Sequence, residues 1–237
     1  MKIAVIADSQ VRPGVNTDYM THVGNYLAEK RPDVIVHLGD LADLSSLSSY
    51  NLPGEKEGLR YKKDVESVHA ALGKLTKPFK SWRPRQILTL GNHENRINRA
   101  VNENPMLKGT ISLADLRYEE FGFEVIPFLK VKTIAGVQFS HYFTSGVMGR
   151  PCSSAQSLLR VRQGSAVMGH VQSFEMAVHP RTQQTAIFAG VTYTHNEPYL
   201  GPQGNHCKRQ ILMLHEVRGG RFDLMAVSLD YLKKEYS

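Results

Sequence analysis

The sequence predicts an α/β (α+β) fold of two packed mixed β-sheets flanked by helices, in one domain over residues 1–237. Three observations lead there. Short apolar runs rich in β-branched residues recur and stop abruptly at polar or Gly-containing turns, as strands covered on both faces do. Helical patterns separate the early runs. From Glu124 onward the text turns strand-rich, and a βαβα half followed by a β-rich half fits two packed sheets with helices outside.

Taken in order, residues 3–7 and 34–38 read as strands, with a helix over 17–30 between them that Pro32 ends. Residues 61–77 carry Val65, Val68, Ala71, Leu72 and Leu75 at helical spacing and stop before Pro78. A third strand spans 86–90. Shorter helices are expected over 95–103, 112–120 and 154–163, the last stopped by Gly164. Residues 131–134 and 137–140 flank Ala135-Gly136 and read as a hairpin. Strands over 166–168, 185–189, 210–217 and 222–228 complete the set, with Gly219-Gly220 as the last turn. Residues 44–59, rich in Ser and closed by Pro53-Gly54, form a long polar loop of the kind that is functional or mobile.

An apolar share of 41% with 22% charged residues is globular composition and excludes a disordered chain. The formal charge of +7 inclines the protein toward polyanions such as nucleic acid or nucleotides. Cys152 and Cys207 lack paired spacing and read as reduced thiols. With no apolar stretch near the ~20 residues that span a bilayer, and a strand beginning directly after the first residues, the expectation is a cytoplasmic protein without membrane contact.

The chemistry lies in the turns that succeed the strands. Asp8-Ser9-Gln10 comes after the first, Gly39-Asp40-Leu41-Ala42-Asp43 after the second and Gly91-Asn92-His93-Glu94 after the third. His141 ends a hairpin strand, and Gly169-His170-Val171-Gln172 comes directly after residues 166–168. Ligands of open α/β sheets bind beyond the carboxyl ends of strands, so these five sets can converge. Carboxylates, an amide and imidazoles together suit Mn²⁺, Fe, Zn²⁺ or Mg²⁺.

In this order and spacing GDLAD, GNHE, a strand-end His and a GH turn resemble the calcineurin-like metallophosphoesterase family, whose fold is an αββα sandwich. The resemblance spans Asp8 to Gln172. It implies one or two divalent metal ions, about 4 Å apart where both are present. It also implies a phosphate-ester substrate attacked by metal-activated hydroxide. By position Asp40 bridges the metals; Asn92, His141 and His170 complete one site, and Asp8 belongs to the other. His93 resembles the general acid and Asp43 the carboxylate that orients it.

Two departures fall on one metal. The family's DxH and GHxH histidines are here Gln10 and Gln172, so that site becomes oxygen-rich and favours Mn²⁺ or Mg²⁺ over iron or zinc. A third departure is Leu44, where protein phosphatases of the family carry a phosphate-binding Arg. DSQ, YLGPQGN and VSLDYL are similar to segments of bacteriophage-encoded members.

Other residues take blander readings. His37 reads as a satisfied core histidine and His179 and His206 as surface residues, while His195 is placed outside the site. Arg96 and Arg99 share a helix face and could meet a substrate phosphate or water. The Lys80–Arg85 loop, with the only Trp, precedes the third strand and reads as structural.

The function expected is a metal-dependent phosphodiesterase or nuclease, acting on DNA, RNA or a nucleotide, with Mn²⁺ favoured. The alternatives are a nucleotide or small-molecule phosphomonoesterase and a scaffold that has lost efficient catalysis, as a retromer subunit of the family has. Oligomeric state stays open.

Overall fold

The structure, a computed structural model, describes residues 1–197 and 201–237. In chain order the strands are β1 (Ile3–Ile6), β2 (Val34–His37), β3 (Arg85–Thr89), β4 (Phe123–Ile126), β5 (Lys132–Ile134), β6 (Val137–Phe139) and β7 (Thr144–Ser145). They continue with β8 (Arg150–Pro151), β9 (Ala166–Met168), β10 (Phe174–Val178), β11 (Thr185–Ala189), β12 (Gln210–Arg218) and β13 (Arg221–Ser228). The helices are α1 (Tyr19–Lys30), α2 (Tyr61–Thr76), α3 (Asn95–Glu103), α4 (Ala155–Arg162), the single turn α5 (Gly201–Gly204) and α6 (Leu229–Tyr236). The first two residues of YLGPQGN, Tyr199 and Leu200, lie outside the described residues.

One sheet has the order β13-β12-β1-β2-β3-β4, with β1 to β4 parallel and β12 and β13 antiparallel. The other has the order β10-β11-β9-β6-β5, with β6, β9 and β11 parallel at its centre. A two-stranded ribbon of β7 and β8 stands apart. Two mixed sheets with helices outside are the architecture the sequence predicts.

Alternation along each strand builds the layers. Ile3, Val5 and Ala7 of the first strand, with Val34, Val36 and Leu38, meet Val137, Phe139, Val167 and Ile187 between the sheets. The opposite face, Ala4, Ile6, Ile35 and Leu88, takes Met20, Val23 and Leu27 of α1 and Val68, Leu72 and Leu75 of α2. On the far side Ala166, Met168, Ala186 and Phe188 pack against Leu158 and Leu159 of α4. Continuous apolar runs are required because both faces of the central strands are covered.

The Ala135-Gly136 hairpin forms as expected, with Ala135 at φ 48°, and its carbonyl accepts from Gly220 N of the last turn at 2.8 Å. Besides the β7–β8 ribbon and α5, which the sequence did not announce, four elements differ from expectation. Residues 112–120 are not a helix: a 3-10 turn, Leu113–Leu116, is stopped by Arg117 in the left-handed region at φ 54°. The short parallel β4 follows it. The edge strand β10 points apolar Phe174, Met176 and Val178 to solvent, which hides its in–out pattern. Finally α6 begins where the last strand ends, because Ser228 Oγ accepts from Tyr231 N at 3.2 Å and caps it.

The loop after Asp43 holds two 3-10 turns, Ser45–Leu47 and Pro53–Lys56. Trp82 packs edge-on to Phe79 at 5.0 Å, before β3 and at the end of the sheet away from the strand-end turns, so this loop is structural as read. No helix among the described residues is long and apolar enough to cross a membrane. Cys152 and Cys207 are both free thiols.

Candidate metal centre

The turns after β1, β2, β3, β6 and β9 meet in one place. A ligand atom from each of Asp40, His141 and His170 lies within 4.8 Å of the others. Asn92 Oδ1 sits between the two rings, 2.9 Å from His141 Nε2 and 2.8 Å from His170 Nδ1. Asp40 Oδ2 is 3.3 Å from His141 Nε2. His141 Nδ1 lies 2.8 Å from the Leu38 carbonyl, which can only accept, so Nδ1 carries a proton and Nε2 is the atom turned to the cluster.

Asp8 stands at the other side. Its Oδ2 accepts from His170 N at 2.8 Å, and Oδ1 is 3.7 Å from His141 Nδ1. The backbone that presents these groups is held in the left-handed region at Asp8 (φ 44°), Gln10 (φ 42°), Asp40 (φ 47°), His170 (φ 67°) and Gln172 (φ 63°). Such conformations persist where surrounding contacts over-determine them. Here Gln10 N donates to Asp40 O and Val11 N to Leu41 O, both at 2.8 Å. Two glycines make room for carboxylates of other turns. A Cβ on Gly91 would collide with Asp40 Oδ1, and one on Gly169 would lie 2.7 Å from Asp8 Oδ2.

The electrostatics is that of two carboxylates buried together. Burial pushes the Asp8 carboxyl well up, with His141 pulling back and Asp40 adding to the rise. Burial opposes ionisation of Asp40 as well, but His141 and His93 outweigh it and hold that carboxyl below its usual range. His141 is lowered by burial yet raised to about 9 by Asp40 and Asp8. His170 goes down to about 4 through burial and the charge of His141.

These residues fit a divalent cation. Asp8 Oδ1 is fully buried with no hydrogen-bond partner, an acceptor that a cation would satisfy. The carboxylate, amide oxygen and imidazole donors are a set that such ions accept. Asp40, Asn92, His141 and His170 would hold one ion, and a second, if bound, would take Asp8 and Asp40. Gln10 is fully buried beside Asp40. Gln172 Oε1 accepts from Tyr193 Oη at 3.2 Å.

His93 lies at the rim. Its backbone N donates to Asp40 Oδ1 at 2.9 Å, and its Nε2 is 3.7 Å from Asp40 Oδ2. Nδ1 lies 2.9 Å from Asp43 Oδ1, at ion-pair distance without hydrogen-bond alignment. Burial lowers His93, but Asp40 and Asp43 turn the balance upward. Asp43 is held well below its usual range against burial by His93, Ser45 and Arg96.

Of the two helix arginines, Arg96 turns inward. Its Nη1 donates to Asp43 O at 2.6 Å and Oδ1 at 3.1 Å, and Nη2 is 3.1 Å from His93 Nε2. Arg99 instead donates to Ser49 Oγ at 2.6 Å, on the loop after Asp43.

Sequence reasoning missed or set aside five residues here. Arg12 Nη1 is 3.1 Å from Asp43 Oδ2 and 2.7 Å from Glu197 Oε1. His195 Nε2 lies 2.7 Å from the same Glu197 oxygen, so His195 is joined to the site after all. Tyr142, directly after His141, tilts its ring over His170 at 4.7 Å. Glu94, inside the third motif, takes four donors through its two buried oxygens. His37 is a satisfied core residue as read, 2.9 Å from Ser9 Oγ and accepting from Gly39 N.

Fold and cluster together define a metal-binding α/β sandwich with an imidazole and a carboxylate paired at its rim. Residues 1–175 match the model of the calcineurin-like phosphoesterases, and the chain belongs to that family. A search of curated protein sequences returns no match. Among solved structures it is similar to a dimetal phosphatase from Danio rerio, at 11% identity and TM-score 0.50, covering 97% of this chain and 96% of that one. It is also similar to Vps29 from Entamoeba histolytica complexed with zinc, at 11% identity and TM-score 0.48, covering 97% and 99%. A third is Yfce, a phosphoesterase from E. coli, at 14% identity and TM-score 0.43, covering 96% and 100%.

Proposed function

We propose that this phosphoesterase hydrolyses phosphodiesters of nucleic acid or nucleotides, with His93 as general acid and Asp43 as its orienting partner. The observation that carries the reading is the convergence of Asp40, Asn92, His141 and His170 beside an imidazole already paired with a carboxylate. Divalent ions bound there, Mn²⁺ for preference, supply Lewis acidity and lower the pKa of an attacking water. Asp8, Gln10, Asp40 and Gln172 form the oxygen-rich half of their coordination, and Asn92, His141 and His170 the rest.

The residues divide the remaining work. His93 Nε2 gives a proton to the departing oxygen as the P–O bond breaks and the electron pair stays on oxygen. Asp43 keeps Nδ1 of the ring protonated and aimed. Arg96 Nη2, beside the same Nε2, meets a substrate phosphate, and Arg99 on the same helix extends that positive edge toward the polar loop. Diester preference is supported by the charge of +7 and by Leu44, a fully buried apolar side chain in place of the phosphatase Arg.

The test is Mn²⁺-stimulated hydrolysis of bis-4-nitrophenyl phosphate, expected to exceed that of 4-nitrophenyl phosphate. The reverse preference points to a phosphomonoesterase. Asp40→Ala is expected to abolish metal-dependent turnover; if it and His93→Ala both leave the rate unchanged, the hydrolase reading fails and the scaffold alternative stands.

A further inference from the structure

The side of the site that holds His93 carries an ion-pair layer that is closed by Glu197 and His195, beyond residue 175, where the family match ends. The Asp43 carboxylate is held at both oxygens. Oδ1 faces His93 Nδ1 at 2.9 Å and Arg96 Nη1 at 3.1 Å, while Oδ2 faces Arg12 Nη1 at 3.1 Å and accepts from Ser45 Oγ.

Arg12 is itself fixed. Its Nη1 lies 2.7 and 2.8 Å from the two oxygens of Glu197, whose side chain is only 2% exposed. Glu197 is braced in turn: its N donates to Asn205 Oδ1 at 2.7 Å, and Asn205 Nδ2 donates back to its carbonyl at 3.0 Å. His195, on Glu197 Oε1, stacks on Tyr193 at 4.6 Å, and Arg209 binds the Thr194 and His195 carbonyls.

A carboxylate can turn about its last torsion and present either oxygen. Asp43 orients His93 only if Oδ1 stays opposite Nδ1, and a donor fixed on Oδ2 removes that freedom. A buried carboxylate needs a cation beside it, and among the described residues Arg12 is the one within hydrogen-bond distance of both Glu197 oxygens. We propose that Arg12, anchored by Glu197, is a positioning residue that locks the Asp43 carboxylate and through it aims the His93 ring at the leaving oxygen. The inference rests on the reading of His93 as general acid, and not on whether the substrate is a monoester or a diester.

Its effect should scale with the leaving group's need for a proton. Two matched substrates separate the cases: bis(4-nitrophenyl) phosphate, whose phenolate departs unaided, and bis(4-nitrobenzyl) phosphate, whose alkoxide does not. The corresponding monoesters serve if the enzyme prefers them. With Mn²⁺ present, His93→Ala is expected to lower benzyl-ester turnover about 100-fold more than phenyl-ester turnover, the usual scale of a general acid. Arg12→Ala should shift the same ratio by about 10-fold, as loss of an orienting partner does. Arg12→Lys should restore part of it, and Glu197→Gln, which keeps the side-chain volume and is the variant to read if Arg12→Ala does not fold, should shift it in the same direction.

Equal losses on both esters for Arg12→Ala or Glu197→Gln would make Arg12 a structural brace and overturn the proposal. An unchanged ratio for His93→Ala would instead overturn the general-acid reading beneath it.

Discussion

Glu94 offers the sharpest test of how the site is held. Its carboxylate is fully buried and joins two turns that are far apart in sequence. Oε2 accepts from Asp40 N at 3.0 Å and Gly91 N at 2.8 Å; Oε1 accepts from Ala42 N at 3.0 Å and Tyr118 Oη at 3.1 Å. Glu94→Gln keeps the shape, and the less costly amide orientation turns its NH₂ toward Ala42 N and Tyr118 Oη, where the hydroxyl can rotate and accept but Ala42 N is left opposed. One buried donor without an acceptor, together with the lost charge on the remaining bonds, costs about 2–4 kcal/mol. Part of that is offset because burial and the charge of Asp40 already disfavour ionised Glu94. A net loss of about 1–3 kcal/mol results. Since Asp40 N is one of the donors, metal affinity should also fall by about 10-fold or more. Urea unfolding of the metal-free protein and Mn²⁺ titration by calorimetry read the two effects. A variant within about 0.5 kcal/mol of the parent, with unaltered Mn²⁺ affinity, would show that Glu94 does not clamp the Asp40 and Gly91 turns together.

Two further outcomes are expected. Replacing Gln10 and Gln172 together by His should raise affinity for the ion on the Asp8 side, measured as metal content after dialysis; unchanged content would remove both positions from the coordination set. In metal-free protein, burial takes the His37 pKa down from 6.5 to about 3. The unfolded chain therefore binds this proton first, so His37 costs stability at about 1.4 kcal/mol per pH unit as pH falls from 6.5 toward 3. His141 acts oppositely, its contribution being complete below 6.5 and lost as pH rises toward 9. Because the raised Asp8 carboxyl acts in the opposite sense over this range, the reading is a difference. Between pH 7 and pH 5 the parent should lose more stability, or gain less, than His37→Gln in denaturant melts; identical changes for the two proteins would contradict the buried neutral state of His37.

The legible part of the molecule is the part written locally. Strands covered on both faces betray themselves as unbroken apolar runs, and the turns after them carry Asp8, Asp40, Asn92, His141 and His170 in plain order. What stayed hidden depends on distance or on surroundings. Arg12 and Glu197 are ordinary charged residues until the chain folds residue 197 back against residue 12. Glu94 looked like the tail of a motif because three of its four donors come from two other segments. The stretch 112–120 has helical composition, but Arg117 in the left-handed region ends it after one turn, and Tyr118 turns inward to Glu94. The edge strand β10 reverses the usual rule by showing its apolar side chains to water.

The placement of β1 has a consequence for how the protein is made. This first strand lies in the middle of its sheet, with β2 on one edge and β12 on the other, so that residue 3 pairs with both residue 34 and residue 214. A chain emerging from the ribosome would keep one edge of that strand open until residues 212–214 have been synthesised, an unpaired and sticky intermediate. Assembly of the Asp8 turn is thereby tied to the arrival of the distal hairpin. Nascent chains halted before residue 210 should bind chaperones and lack the finished catalytic pocket, even though every motif has already been translated.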